Sequence, residues 1–156
     1  MNNAVWITAP QATESPGRVF SFRKSFVLKE HPVSAVWTLT ARGIVHIRVN
    51  GHDCDEQLLL PGWTDYRFRI PLRKIDISAF LVIGENHLEV LLGCGWYCGR
   101  ITVGGYPDRM QYESRIPSWL GMLTLSFANG RQQVITSSPV WLCQDNNPLL
   151  FSDFYD

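Results

Sequence analysis

Ala35-Val36-Trp37-Thr38-Leu39-Thr40-Ala41-Arg42-Gly43-Ile44-Val45-His46-Ile47-Arg48-Val49-Asn50-Gly51 carries the fold in miniature. Ala35, Trp37, Leu39 and Ala41 share one parity. Val45, Ile47 and Val49 share another, with Ile44, His46 and Arg48 between them. Side chains alternate across a strand with period two, so each half predicts a strand with one buried face. Asn50-Gly51 is a hairpin pair, because both residues tolerate the positive φ that a two-residue turn demands.

The same pattern extends outward. Phe20, Phe22, Phe26 and Leu28 alternate around Lys24, and Leu88, Val90 and Leu92 alternate around Glu89 after a Gly84-Glu85-Asn86 turn. Leu123, Leu125 and Phe127 form another strand, which Asn129-Gly130 turns toward Gln133 to Ile135. Tyr66, Phe68 and Ile70 alternate with Arg67 and Arg69 and predict one more. Helical signals are thin. Residues 75–81 suit one short turn with Asp76 or Ser78 as N-cap, and Arg109 to Trp119 reads as a loop or a single helical turn. Short strands with Gly and Pro between them indicate an all-β sandwich or barrel.

The chain has 156 residues, the size of one domain, so residues 1–156 are expected to form a single unit. A chain of this length buries roughly 68–70% of its unfolded surface, enough for a core without covalent staples. Fourteen basic and fourteen acidic side chains cancel. That balance argues against nucleic acid or an anionic membrane as a partner, since both require a positive excess. Eleven Arg against three Lys favours planar hydrogen bonding to polar ligands or interfaces. The opening Met1-Asn-Asn-Ala-Val-Trp lacks the basic and apolar regions of a signal peptide, and no apolar run reaches a membrane span. A soluble chain is expected.

Cys54, Cys94, Cys98 and Cys143 are scattered, and Cys94 and Cys98 flank Gly95-Trp96-Tyr97. That spacing fits neither a CxxC zinc pair nor a CxxC redox motif, so free thiols are expected. His52, Asp53, Cys54 and Asp55 resemble a metal cluster, but a polar turn after Asn50-Gly51 explains them more simply. No metal site is expected there. Asp53 with Asp55 is the only obvious local carboxylate pair, on what reads as an exposed turn. No nucleophile elbow, zinc-protease helix motif or phosphate-binding loop accompanies it.

Two stretches are more specific than composition. One joins Val49-Asn50-Gly51 to Leu60-Pro61-Gly62-Trp63-Thr64-Asp65-Tyr66-Arg67. The other is Leu91-Leu92-Gly93-Cys94-Gly95-Trp96-Tyr97-Cys98-Gly99-Arg100. With the opening Ala4 to Ile7, Phe20 to Phe26 and the closing Pro148 to Asp156, they resemble the N-terminal β-sandwich domain of bacterial α-L-rhamnosidases, glycoside hydrolase family 78-like. The resemblance spans essentially the whole chain. It implies an all-β fold, a single antiparallel β-sandwich of the jelly-roll, galactose-binding-domain-like kind. It also implies that catalysis belongs to a later (α/α)6 barrel absent from these residues. Members continue with Gly-Glu after the position of Asp156, so a longer parent chain is expected. Ser137-Ser138-Pro139-Val140-Trp141 departs from the family, whose members tend to place an acidic residue and Ser before the Trp.

The implied role is a non-catalytic accessory domain of an α-L-rhamnosidase, partnered with the catalytic domain of the same parent and with L-rhamnose or rhamnose-containing glycans. A purely structural interdomain sandwich and an autonomous rhamnose-binding module are the alternatives. The candidate sugar residues are Asn50, Trp63, Asp65, Tyr66, Arg67, Trp96 and Tyr97. A sugar has an apolar face and a hydroxyl rim, which an aromatic plane beside a carboxylate and a guanidinium suits. Each motif also has a plain structural reading: Trp63 over the core edge with Asp65 capping its turn and paired to an Arg, and Trp96 plugging one end of the sandwich. No cofactor is expected. Some relatives bind rhamnose through calcium with an adjacent Asp and Asn. Val49-Asn50 is the best match for that pair, and Val49 supplies no carboxylate. Asp53, Asp55 and Glu56 are the carboxylates left to substitute, so the departure argues against calcium-dependent binding.

Overall fold

The alternation around Trp37 becomes strand β2 (Ser34–Arg42), and that around Ile47 becomes β3 (Ile44–Val49). They belong to different sheets. In the computed structural model, which describes residues 3–12, 18–98 and 116–145, the remaining strands are β1 (Phe20–Leu28), β4 (His52–Asp53), β5 (Arg73–Asp76), β6 (Gly84–Gly93), β7 (Ser118–Ser126), β8 (Gln132–Thr136) and β9 (Leu142–Gln144). One sheet has the order β4-β3-β6-β1-β9 and the other β5-β2-β7-β8. Every pairing between these strands is antiparallel. The molecule is an antiparallel β-sandwich.

Register explains the core. Phe22, Val90 and Ile47 lie abreast in the first sheet, as Ile75, Trp37 and Leu123 do in the second. All are buried, and their neighbours along each strand turn outward. Trp141 closes the seam where the chain passes from β8 to β9. It stacks on Trp37 at 6.3 Å and meets Trp119 edge-on at 4.8 Å, while its indole N–H donates to the Thr136 carbonyl at 2.9 Å. Ser137 ties in the N-terminal segment: its hydroxyl donates to the Val5 carbonyl at 2.7 Å and accepts from the Gly121 N–H at 3.1 Å.

Asn50-Gly51 forms the expected two-residue turn between β3 and β4, with φ of 52° and 81°. Three expectations are corrected. Residues 66–70 form a turn and extended chain, because Asp65 captures the backbone that a ladder would need; the strand comes later, at β5. The short turn near residue 78 is a 3-10 turn over Ser78–Phe80 whose N-cap position is Ile77, while Asp76 accepts from the Ser78 N–H at 2.9 Å. Asp55 is not exposed: its side chain retains 10% of its accessible surface. Four elements escaped the periodicity: β4, β5, β9 and the one-turn helix α1 (Gly95–Cys98). The expected 109–119 loop gives way to β7 from Ser118, and residues 109–115 lie outside the described residues, as do the closing 148–156.

Candidate functional site

The Pro-Gly-Trp loop is anchored from behind. Leu60 is buried and its carbonyl accepts from the Val45 N–H at 2.8 Å, so the loop starts as an annex of β3. The Leu60–Pro61 peptide bond is cis, and the Gly62 N–H donates back to the Leu59 carbonyl at 2.9 Å. The following residues then alternate by environment. Trp63 is 57% exposed and Thr64 is buried. Asp65 turns back on the chain, accepting from the Arg67 N–H at 3.1 Å and pairing with that guanidinium at 2.9 and 2.7 Å. Its carbonyl also accepts from the Phe68 and Arg69 amides. This is an Asx turn reinforced by an ion pair, and Arg67 holds the carboxyl below the usual Asp range.

The second motif approaches from the end of β6. Gly95, at φ 49°, sits against Ile44, where a Cβ would collide with the Ile44 side chain. That close approach starts α1 and presents Trp96, half-buried, and Tyr97, buried. Tyr97 meets Tyr66 edge-to-face, with ring centroids 5.1 Å apart at 73°. The fold therefore joins the two motifs through one tyrosine pair.

Asn50 stands elsewhere. Its Nδ2 donates to the Phe80 carbonyl at 2.8 Å and to Asn86 Oδ1 at 3.0 Å, and its Oδ1 accepts from the His87 N–H at 2.9 Å. His87 lies near the start of β6 and Tyr97 beyond its end. Six residues of strand, at about 3.3 Å each, put roughly 20 Å between the two places.

Asp53, Asp55 and Glu89 are ion-paired. Asp53 accepts from Arg48 Nε and faces His46 Nε2, both at 2.8 Å, and Arg48 first, then His46, lowers its pKa. Asp55 is gripped by Arg73 at 2.8 and 3.1 Å, which lowers its pKa likewise. Glu89 takes Arg23 at 2.8 Å and the Ser21 hydroxyl at 2.9 Å. Arg23, Glu89, Arg48 and Asp53 thus alternate in sign across four strands on the outer face of the five-stranded sheet. Calcium takes six to eight oxygens, with carboxylates prominent. Asp53 and Asp55 already neutralise guanidinium groups, so they do not fit that ion. Among the described residues no three His, Cys, Asp or Glu side chains gather in a metal-binding group. All four cysteines are free thiols.

Two antiparallel sheets, with an Asp-Arg turn and an outward tryptophan in one loop, place the chain in the broad class of β-sandwich domains. The comparisons narrow that class. Residues 30–156 match the model of the α-L-rhamnosidase N-terminal domain, and the chain belongs to that family. It is 32% identical over 153 residues to an α-L-rhamnosidase of Streptomyces avermitilis, covering 96% of this chain and 14% of that protein. Its fold matches the crystal structure of the Aspergillus terreus α-L-rhamnosidase at a TM-score of 0.82 and 27% identity, over 92% of this chain and 17% of the other. It also matches the Streptomyces avermitilis α-L-rhamnosidase complexed with L-rhamnose, at a TM-score of 0.77 and 29% identity, over 85% of this chain and 13% of the other. The chain therefore spans about one-seventh of the length of these curated relatives.

Proposed function

We propose that this domain is a non-catalytic accessory module of a glycoside hydrolase acting on terminal α-L-rhamnosides, packed beside the catalytic domain of the same parent chain. We further propose that the Trp63 loop and α1 form its sugar-facing surface. The observation that carries the sugar reading is the placement of Trp63. A large aromatic plane stands more than half in water, in the same loop as a carboxylate and guanidinium locked to each other and as Tyr66, which packs on buried Tyr97. A preorganised platform of this kind loses little entropy on binding. The Asp65–Arg67 pair presents an acceptor and a donor to a hydroxyl rim, while the indole face covers C–H groups.

Titrating L-rhamnose into the domain by calorimetry, with and without calcium, tests the sugar reading. Binding is expected, independent of calcium, and Trp63→Ala is expected to weaken it by roughly tenfold or more, about 1.4 kcal/mol. Because Trp63 is exposed, that variant should melt within a few degrees of the parent. Absence of binding, or unchanged affinity in the variant, overturns the reading.

A second reading rests on a separate observation. Leu58, Leu59, Phe68 and Leu72 are each more than half exposed in the loop that carries Trp63, Phe68 at 82%. Apolar side chains gathered in one loop mark a docking surface. In this reading the sandwich is purely structural and the loop packs on the catalytic domain. Phe68→Ser in the full-length enzyme would then lower its melting temperature, and the isolated domain would bind no rhamnose.

A further inference from the structure

We propose that Cys94 and Cys98 form a reversible two-thiol modification site, which takes low-molecular-weight disulfides such as oxidised glutathione and closes to an intramolecular disulfide. The site stands independently of the sugar reading.

The geometry comes from α1. The Cys98 N–H donates to the Cys94 carbonyl at 3.3 Å, so the two residues close one hydrogen-bonded turn of chain that enters α1 through Gly95. The Cys98 thiol is hydrogen-bonded to Cys94. Cys94 is buried and Cys98 half-buried, so the pair has one protected and one solvent-reached member. A turn closed by that bond holds the two Cα atoms near the roughly 4.4–6.8 Å separation that disulfides span. The other two thiols differ. Cys54 donates to the His52 carbonyl at 3.3 Å, and Cys143 lies on β9 opposite Phe22.

The chemistry balances as thiol–disulfide exchange. One thiolate of the pair attacks a sulfur of oxidised glutathione, breaking its S–S bond and releasing a glutathione thiolate that takes up the proton. The second cysteine then attacks the mixed disulfide and expels the second glutathione. Two protein thiols are oxidised and one glutathione disulfide is reduced to two thiols. The hydrogen bond to Cys94, then burial, pushes the Cys98 thiol far above the usual thiol range, so exchange quickens as the pH rises. Trp96 and Tyr97 lie between the two cysteines in sequence, and Tyr97 packs on Tyr66. Closing the disulfide shifts both aromatics.

The 156-residue chain is equilibrated with reduced and oxidised glutathione across ratios from reducing to oxidising, then alkylated and mapped by mass spectrometry. The expected result is joint loss of two of the four thiols, a peptide linked through Cys94 and Cys98, reversal by dithiothreitol, and a tryptophan fluorescence change with the same midpoint. Cys94→Ser and Cys98→Ser should each stop at a mixed disulfide with glutathione. Mapping of the unaltered chain decides the matter even if a variant folds poorly. No linked peptide at any ratio, a linkage through Cys54 or Cys143, or mixed adducts alone in the unaltered chain overturns the proposal. Unchanged fluorescence on closure overturns the coupling to Trp96 and Tyr97.

Discussion

Single residues decide whether the two aromatic motifs meet. Gly95 combines a positive φ with a backbone that lies on Ile44, so its lack of a Cβ serves both the turn and the contact. Gly95→Ala is expected to cost about 2–3 kcal/mol, from left-handed strain plus the collision with the Ile44 side chain. Urea unfolding measures it, and Gly62→Ala is the comparison. Gly62 also has a positive φ, but nothing lies within 4 Å of its added methyl, so its cost should be nearer about 1 kcal/mol. Equal costs would remove the packing argument for Gly95. The motif Leu-Gly-Cys-Gly-Trp-Tyr was visible in the sequence, whereas Ile44 as its counterpart was not. Fifty residues separate the two, and only the β3–β6 pairing brings them together.

At the scale of elements, turn chemistry competes with strand periodicity. Tyr66, Phe68 and Ile70 alternate as a strand should, yet Asp65 draws in the Arg67 amide and side chain and bends the chain there. The alternation is satisfied by a loop with Phe68 in water. Asp55 shows the opposite kind of miss. A carboxylate in a polar turn reads as solvated, but Arg73, just where β5 begins, closes over it in a two-point ion pair. Asp55→Asn is expected to cost about 1–2 kcal/mol at neutral pH, discounted because the guanidinium stays partly in water. The sign of the pH dependence follows from the lowered pKa, which Arg73 causes. A depressed carboxylate stabilises the fold above its unfolded pKa, about 3.9, and loses that contribution as the pH falls through its folded value. The two proteins should therefore differ most at neutral pH and converge below about pH 4. A constant gap down to pH 2 would assign the loss to something other than the ion pair.

For the whole molecule, the weak place is the seam between sheets. The four-stranded and five-stranded layers are joined on that side by the chain from β8 to β9, and Trp141 fills the gap against Trp37 and Trp119. Trp141→Ala is expected to cost about 3–5 kcal/mol, the range for deleting a buried tryptophan, with loss of the Thr136 hydrogen bond included. For a domain of this size a change of that order lowers the melting temperature by roughly 6–20 °C. Calorimetry would register it, and a drop of only a few degrees would place the seam outside the cooperative unit. Trp141 follows the stretch that departs from the family pattern, Ser137-Ser138-Pro139-Val140. Ser137 there does its own structural work, holding the N-terminal segment against β7.

The sequence alone determined most strands of the core, the Asn50-Gly51 hairpin and membership of the rhamnosidase N-terminal family. Alternation, turn residues and motif order are local properties, written in consecutive residues. Tertiary structure decided the partners. It placed Tyr66 on Tyr97, Asp55 on Arg73 and Trp141 between two other tryptophans, and it carried Asn50 to the far end of β6 from the other candidate sugar residues. Such contacts depend on which strands pair and in what register. That choice is made by the packing of the entire core, which no single stretch contains.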